Sequence, residues 1–301
     1  MDIIKVIPSG YCKGVINAIN IVKQAITDYP DKQIYILGML VHNKYVVEAF
    51  EKVGAITLQD KTKSKAELLE TIEDGVVVFT AHGIDPKIKE RAIEKGLIVV
   101  DATCNDVTRN SELCLDHLSQ GYSIIYIGKR NHPESDAVVA LSDKVHLVTN
   151  LQDIEELQVE SDKLLITNQT TLSIIDIRQM INKLTEKFPN AVVAEEICSA
   201  TRRRQNAIYN LKNVDTLVVV GDPSSNNTTQ LAAIGKKVGI SRVVKVENAK
   251  GLVEEKFNEN ERIAVTAGAS TPSYLTNQVI EYLKSFNWQY LEIDLGCILN
   301  L

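Results

Sequence analysis

GVVVFTAHGIDPKIKERAIEKGLIVVDATC, residues 75–104, contains two β-branched runs, Gly75–Thr80 and Leu97–Asp101, each ending in a polar loop. Runs this short and continuously apolar, bounded by Gly and Asp, suit strands buried on both faces of a parallel sheet. Chemistry-bearing residues sit in the loops: Ala81-His82-Gly83 after the first run and Cys104 after the second. The pattern extends in both directions. Ile3–Pro8, Gln33–Gly38, Ser123–Gly128, Lys163–Thr167, Ala191–Ala194, Thr216–Val220 and Arg262–Thr266 also read as buried strands. Val15–Thr27, Ser173–Phe188, Arg203–Asn213 and Pro272–Ser285 carry apolar residues at helical intervals. The alternation specifies an α/β fold with mostly parallel sheets.

Cys104 has two counterparts, Cys12 and Cys198, at near-equal intervals of 92 and 94 residues. Some way after each cysteine comes a polar strand-end loop: Val41-His42-Asn43, Asn131-His132-Pro133-Glu134 and Ser224-Ser225-Asn226-Asn227. A third loop follows each of these: Ala81-His82-Gly83, Gln169-Thr170-Thr171 and Ala269-Ser270-Thr271. Length alone suggests about two domains, but three copies of one α/β unit explain the spacing more economically. The units are 13–103, 104–197 and 198–290, with the N-terminal strand 1–12 completing the third and a tail at 291–301. Ligand groups in open parallel sheets gather at the carboxyl ends of strands, so packing about a pseudo-threefold axis would converge the loops on one central site.

Composition narrows the function. Lys and Arg total 33 against 39 Asp and Glu, a net charge of -6 with no basic tail, which argues against nucleic acid as a partner. The first residues read as a strand rather than a secretory leader, and no apolar run approaches the roughly 18 residues of a membrane span. The expectation is a cytoplasmic protein. Five scattered cysteines do not form a secreted disulfide framework, so reduced thiols or thiolate ligands fit better.

Three repeat-equivalent thiolates without a fourth suit an iron–sulfur cubane with one open iron, able to bind substrate as well as pass electrons. Zinc remains an alternative, with His42, His82 or His132 completing a tetrahedron. Cys114 and Cys297 fall outside the repeat and read as structural, as do His117 and His146. The polar loops resemble an anion cage: His42, His82 and His132 as donors that can be cationic, Ser225, Asn227 and Ser270 as neutral donors, aided by helix N-termini. This set could grip a diphosphate without a Gly-rich phosphate loop. Glu134 could act as an acid or simply stabilise a helix start, and Thr170 and Thr171 could relay a proton or cap a helix. Arg202-Arg203-Arg204 could steer anions or form a solvated helix face.

Nine segments in order across nearly the whole chain, among them Gly10-Tyr11-Cys12-Lys13-Gly14, Val41-His42-Asn43, Ala81-His82-Gly83, Asp101-Ala102-Thr103-Cys104, His132-Pro133-Glu134, Gln169-Thr170-Thr171, Ser225-Asn226-Asn227 and Ala267-Gly268-Ala269-Ser270, resemble the 4-hydroxy-3-methylbut-2-enyl diphosphate reductase family. The resemblance implies a trefoil of three α/β domains around one 4Fe-4S cluster per chain, held by Cys12, Cys104 and Cys198. It implies the last step of the methylerythritol phosphate pathway, giving isopentenyl and dimethylallyl diphosphate. Substrate diphosphate would bind His42, His82, His132, Ser225, Asn226, Asn227 and Ser270. Glu134, helped by Thr170, would deliver protons, and a ferredoxin- or flavodoxin-like donor would supply two electrons. The sequence departs from the family pattern at Asn105, Ser135-Asp136-Ala137 and Asn226. A cluster-dependent hydro-lyase or reductase on another anion, and a non-catalytic zinc or redox-sensing protein, are the competing readings.

Overall fold

The computed structural model describes residues 1–300. By internal contacts the chain divides into two compact units, one of Met1–Ile16, Val41–Val53 and Ser199–Leu301, the other of Asn17–Leu40 and Gly54–Cys198. The described residues form the strands β1 (Asp2–Lys5), β2 (Ile34–Leu37), β3 (Ile56–Leu58), β4 (Val76–Phe79), β5 (Ile98–Asp101), β6 (Ser123–Ile127), β7 (Val145–Val148), β8 (Leu164–Asn168), β9 (Val192–Val193), β10 (Thr216–Val220), β11 (Arg242–Val246) and β12 (Arg262–Ala267). They build three four-stranded sheets, β3-β2-β4-β5, β7-β6-β8-β9 and β11-β10-β12-β1, and every pairing is parallel.

The three sheets share one topology, with the fourth place in the last filled by the first strand of the chain. In each, strand order reverses between the two central strands, the position where an open parallel sheet leaves a crevice at its carboxyl edge. The loops picked out by the repeat follow those central strands along the chain, and each cysteine follows the fourth strand.

The central strands β4, β6, β8 and β10 are buried along their whole length, because helices cover both faces of a parallel sheet. Residues of β6 alternate between two cores. Ile125 and Ile127 pack with Ile166, Ile177 and Leu184, while Ile124 and Tyr126 pack with Cys114, Val138 and Leu165. Each such aliphatic side chain contributes about 2 kcal/mol on burial.

Two expectations from sequence need correction, both at sheet edges. Strands β3, β7 and β11, one at the same edge of each sheet, are missing from the reading of residues 75–104 outward, because half-exposed edge strands such as Arg242–Val246 lack a continuous apolar run. Conversely Ala191–Ala194 shrinks to the exposed pair Val192–Val193, and β1 and β5 are only partly covered. They occupy the other edge, where one flank has no neighbouring strand.

Candidate functional site

Each of Cys12, Cys104 and Cys198 immediately precedes a helix, respectively Lys13–Asp28, Asn105–Ser119 and Ser199–Tyr209. The partial positive charge of a helix start favours an anionic sulfur there. All three are part-exposed. Their backbones are held alike: the N–H of Cys12 donates to the Ala269 carbonyl at 3.0 Å, that of Cys104 to Ala81 at 3.0 Å and that of Cys198 to Thr170 at 3.1 Å. A cysteine ending a fourth strand thus binds the loop of the adjacent central strand. Cys104 belongs with the His82 loop in this respect, although the sequence repeat counts that loop from Cys12. Cys114 differs in kind, being fully buried with its thiol pushed up to about 12 by desolvation, so it is a packing residue.

Within the unit holding β2 to β9, the loops bring His82, His132, Glu134 and Thr170 together. The His82 and His132 rings meet edge to face with centroids 5.9 Å apart. His132 caps the helix Pro133–Val139, its Nδ1 accepting the Glu134 N–H at 3.2 Å, so the neutral ring carries its proton on Nε2 and remains a donor there. Glu134 is 2% exposed. Its carboxyl accepts from the Thr170 N–H at 2.7 Å and from the Thr170 hydroxyl at 3.1 Å. Burial raises its pKa from 4.5 to about 7, outweighing the opposing pull of those two bonds, and Asp106 pushes the same way. Ser135, one of the departures from the family pattern, is buried and donates to Gln169 Oε1 at 3.2 Å, which also accepts the Lys129 N–H at 3.0 Å. The helix that presents Glu134 is thereby tied to the Thr170 loop. Ser173, rather than Thr170 or Thr171, caps the helix Ile174–Lys187, leaving the Thr170 hydroxyl to Glu134.

Within the other unit, Ser225 caps the helix Asn226–Lys237 and Ser270 donates to the His42 carbonyl at 2.9 Å, with the two serine oxygens 3.5 Å apart. Asn227 is engaged at both ends, donating to Thr201 Oγ1 at 3.1 Å and accepting the Ala269 N–H at 3.2 Å, so it braces the loop that holds Cys12. Asn226 is buried in the first turn of that helix. Asn43 caps the helix Lys44–Lys52 by accepting the Tyr45 N–H at 3.0 Å.

Among the described residues no three His, Cys, Asp or Glu side chains are gathered closely enough to hold a metal ion. The donor set, three part-exposed thiols at helix starts with matching backbone anchors, fits a cluster.

Residues 3–284 match the LytB protein family. The chain belongs to the LytB family. It is 46% identical over 95% of its length to the 4-hydroxy-3-methylbut-2-enyl diphosphate reductase of Macrococcus caseolyticus, covering 90% of that protein. With the enzyme of that name from Geobacillus kaustophilus it shares 42% identity over 95% of its length and 91% of the relative. Among solved structures, the E-1-hydroxy-2-methyl-but-2-enyl-4-diphosphate reductase of Plasmodium falciparum superposes with a TM-score of 0.88 at 32% identity, covering 96% of this chain and 90% of that one. These likenesses make the LytB chain an oxidoreductase with an α/β fold of parallel sheets.

Sequence reasoning took Arg202-Arg203-Arg204 as an anion-steering run or a solvated helix face, but the structure buries Arg204 and ties it to the Cys12 turn. Arg204 is buried, and its guanidinium donates to the Gly10 carbonyl at 2.6 Å and the Ala200 carbonyl at 3.0 Å, whereas Arg203 is exposed as a solvated helix residue. Gly10 has a φ of 82°, and a Cβ there would lie 2.5 Å from Ser273 Oγ, so the turn before Cys12 admits only glycine comfortably. Tyr11 adds a bond from its hydroxyl to the Ile298 carbonyl at 3.0 Å, docking the tail on the same turn. The sequence signal for Arg204 was its helical spacing from Thr201 and Ile208, both buried on that helix.

Proposed function

We propose that this chain carries out the reductive dehydroxylation of (E)-4-hydroxy-3-methylbut-2-enyl diphosphate to isopentenyl and dimethylallyl diphosphate, the last step of the methylerythritol phosphate pathway. The observation that carries this reading is a buried carboxyl, Glu134, whose pKa near 7 lets it give up a proton at neutral pH while Thr170 fixes its orientation. The relatives' shared name supplies the substrate.

In this reading Cys12, Cys104 and Cys198 hold one 4Fe-4S cluster. When bound, the cluster would supply the reaction's electrons, drawn from a ferredoxin- or flavodoxin-like donor. His42, His82, His132, Ser225, Asn226, Asn227 and Ser270 grip the diphosphate, which needs donors from several directions. Glu134 delivers the protons that leave with the hydroxyl as water and complete the product, with the Thr170 hydroxyl orienting the carboxyl. The three sequence repeats, 13–103, 104–197 and 198–290, are the proposed units, each contributing two polar loops, while the thiolates come from Cys12, at the end of the N-terminal segment 1–12, and from Cys104 and Cys198, at the starts of the second and third repeats. No helix among the described residues is long and apolar enough to cross a membrane; a cytoplasmic site of action is part of the proposed reading.

Anaerobic purification followed by iron and sulfide analysis, then turnover of the allylic diphosphate with a reduced dye, tests the proposal. About four irons and four sulfides per chain and two electrons consumed per product formed are expected. About one zinc and no sulfide, or dehydration without electron uptake, would overturn it.

A further inference from the structure

Lys65 stands outside every motif considered so far. It opens the short helix Lys65–Glu70, whose first turn is fixed by a capping box between Ser64 and Glu67. From there its side chain lies over the carboxyl ends of β2 and β4. A methyl placed on Gly38, just after β2, would lie 3.7 Å from Lys65 Cε and 3.7 Å from Thr80 Cγ2, so both side chains flank one point at the reversal of strand order. Thr80 follows β4, and its hydroxyl is 3.5 Å from His82 Nδ1. His82 in turn meets the His132 ring.

Lys65 is part-buried, and its ammonium has only the more distant Asp136 carboxyl as a counter-charge. Burial lowers its pKa to about 8, with Asp136 pulling the other way, and among the described residues it makes no hydrogen bond or close ion pair. Asp136 lies on the helix that His132 caps and that presents Glu134, so the charge sits on the side of Lys65 facing that loop. A part-buried cation without a close counter-ion gains by meeting an anion. The adjacent groups already able to meet an anion are the two histidines.

We propose that Lys65 is a further anion-gripping residue of the diphosphate site, a cation carried to the ends of β2 and β4 by the connection that follows edge strand β3. The inference rests on the diphosphate-binding reading given above. It adds a full positive charge to a set otherwise made of neutral or titratable donors.

Calorimetric titration of inorganic diphosphate into the anaerobically loaded protein tests it, using wild type, Lys65→Met and Lys65→Arg. Met keeps the aliphatic stem over Gly38 and Thr80 while removing the charge, and Arg restores the charge. Lys65→Met is expected to weaken diphosphate binding about tenfold or more, the scale of one charge-assisted hydrogen bond, with Lys65→Arg staying within about threefold of wild type. In turnover, Lys65→Met raises KM far more than it lowers kcat. Unchanged binding by Lys65→Met alongside tight binding by wild type would sink the role of Lys65 and leave the functional reading standing. Failure of wild type itself to bind diphosphate would remove both.

Discussion

Thr170 holds Glu134 by both carboxyl oxygens, N–H to Oε1 at 2.7 Å and hydroxyl to Oε2 at 3.1 Å, while its own carbonyl accepts the Cys198 N–H at 3.1 Å. One residue therefore fixes the orientation of the Glu134 carboxyl and the backbone of Cys198, the proposed cluster ligand. Because both bonds run through Thr170, the Glu134 carboxyl and the Cys198 backbone keep a fixed spacing within their unit. Glu134→Gln preserves size and burial but has no proton to give. Its kcat is expected to fall about a hundredfold or more with little change in cluster absorbance, as measured by anaerobic steady-state kinetics and optical spectra. Near-wild-type turnover would remove Glu134 from the chemistry.

The same carboxyl ties stability to pH. Its folded pKa is raised from 4.5 to about 7, so between those values the native state binds the proton more tightly than the unfolded chain. The stabilisation is complete below about pH 4.5 and is lost as pH rises through about 7, a swing on the order of 3 kcal/mol. Melting curves of wild type and Glu134→Gln should therefore diverge in favour of Gln as pH climbs through that window. Parallel curves would contradict the raised pKa.

Removing only the Thr170 hydroxyl separates orientation from scaffold. Thr170→Val keeps the backbone bonds to Glu134 and Cys198 but deletes a bond that favours the ionised carboxyl, so the Glu134 pKa moves further up. The descending limb of the pH–rate profile should shift to higher pH, with kcat about tenfold lower, and Thr170→Ser should restore both. A Val variant with an unshifted limb would mean that the hydroxyl does not act on Glu134.

The five cysteines divide by environment. Cys12→Ser, Cys104→Ser and Cys198→Ser are each expected to abolish the visible absorbance of a cluster. Cys114→Ser should retain it, because its buried thiol sits in an apolar core with a pKa near 12. Its cost appears instead in the melting temperature. Equal spectral loss in all four variants would undo the ligand assignment.

Arg204 supplies a structural test of the Cys12 turn. Arg204→Met strips the Gly10 carbonyl of its charge-assisted donor inside the fold, which costs about 2–3 kcal/mol and loosens the turn before Cys12. A lower melting temperature together with less iron per chain is expected, with Arg204→Lys recovering part of each. A stable variant with full iron content would show that the turn holds itself.

The sequence determined the α/β character and the placement of the functional loops, and it did so for a physical reason. A parallel strand covered on both faces must be apolar throughout, so β4, β6, β8 and β10 are visible as runs such as Val76–Phe79, and the polar loop after each run stands out against it. The cysteines were equally legible, since each follows a strand and starts a helix. Edge strands β3, β7 and β11 were not, because half-exposed residues obey no such rule.

Only the tertiary structure decided which groups meet. The bonds of Cys198 to Thr170 and of Arg204 to Gly10 join residues far apart in the chain, and a backbone carbonyl carries no residue identity for a sequence pattern to display. The raised pKa of Glu134 arises the same way: desolvation is a property of everything packed around a side chain, and a glutamate at a helix start looks the same in sequence whether water reaches it or not.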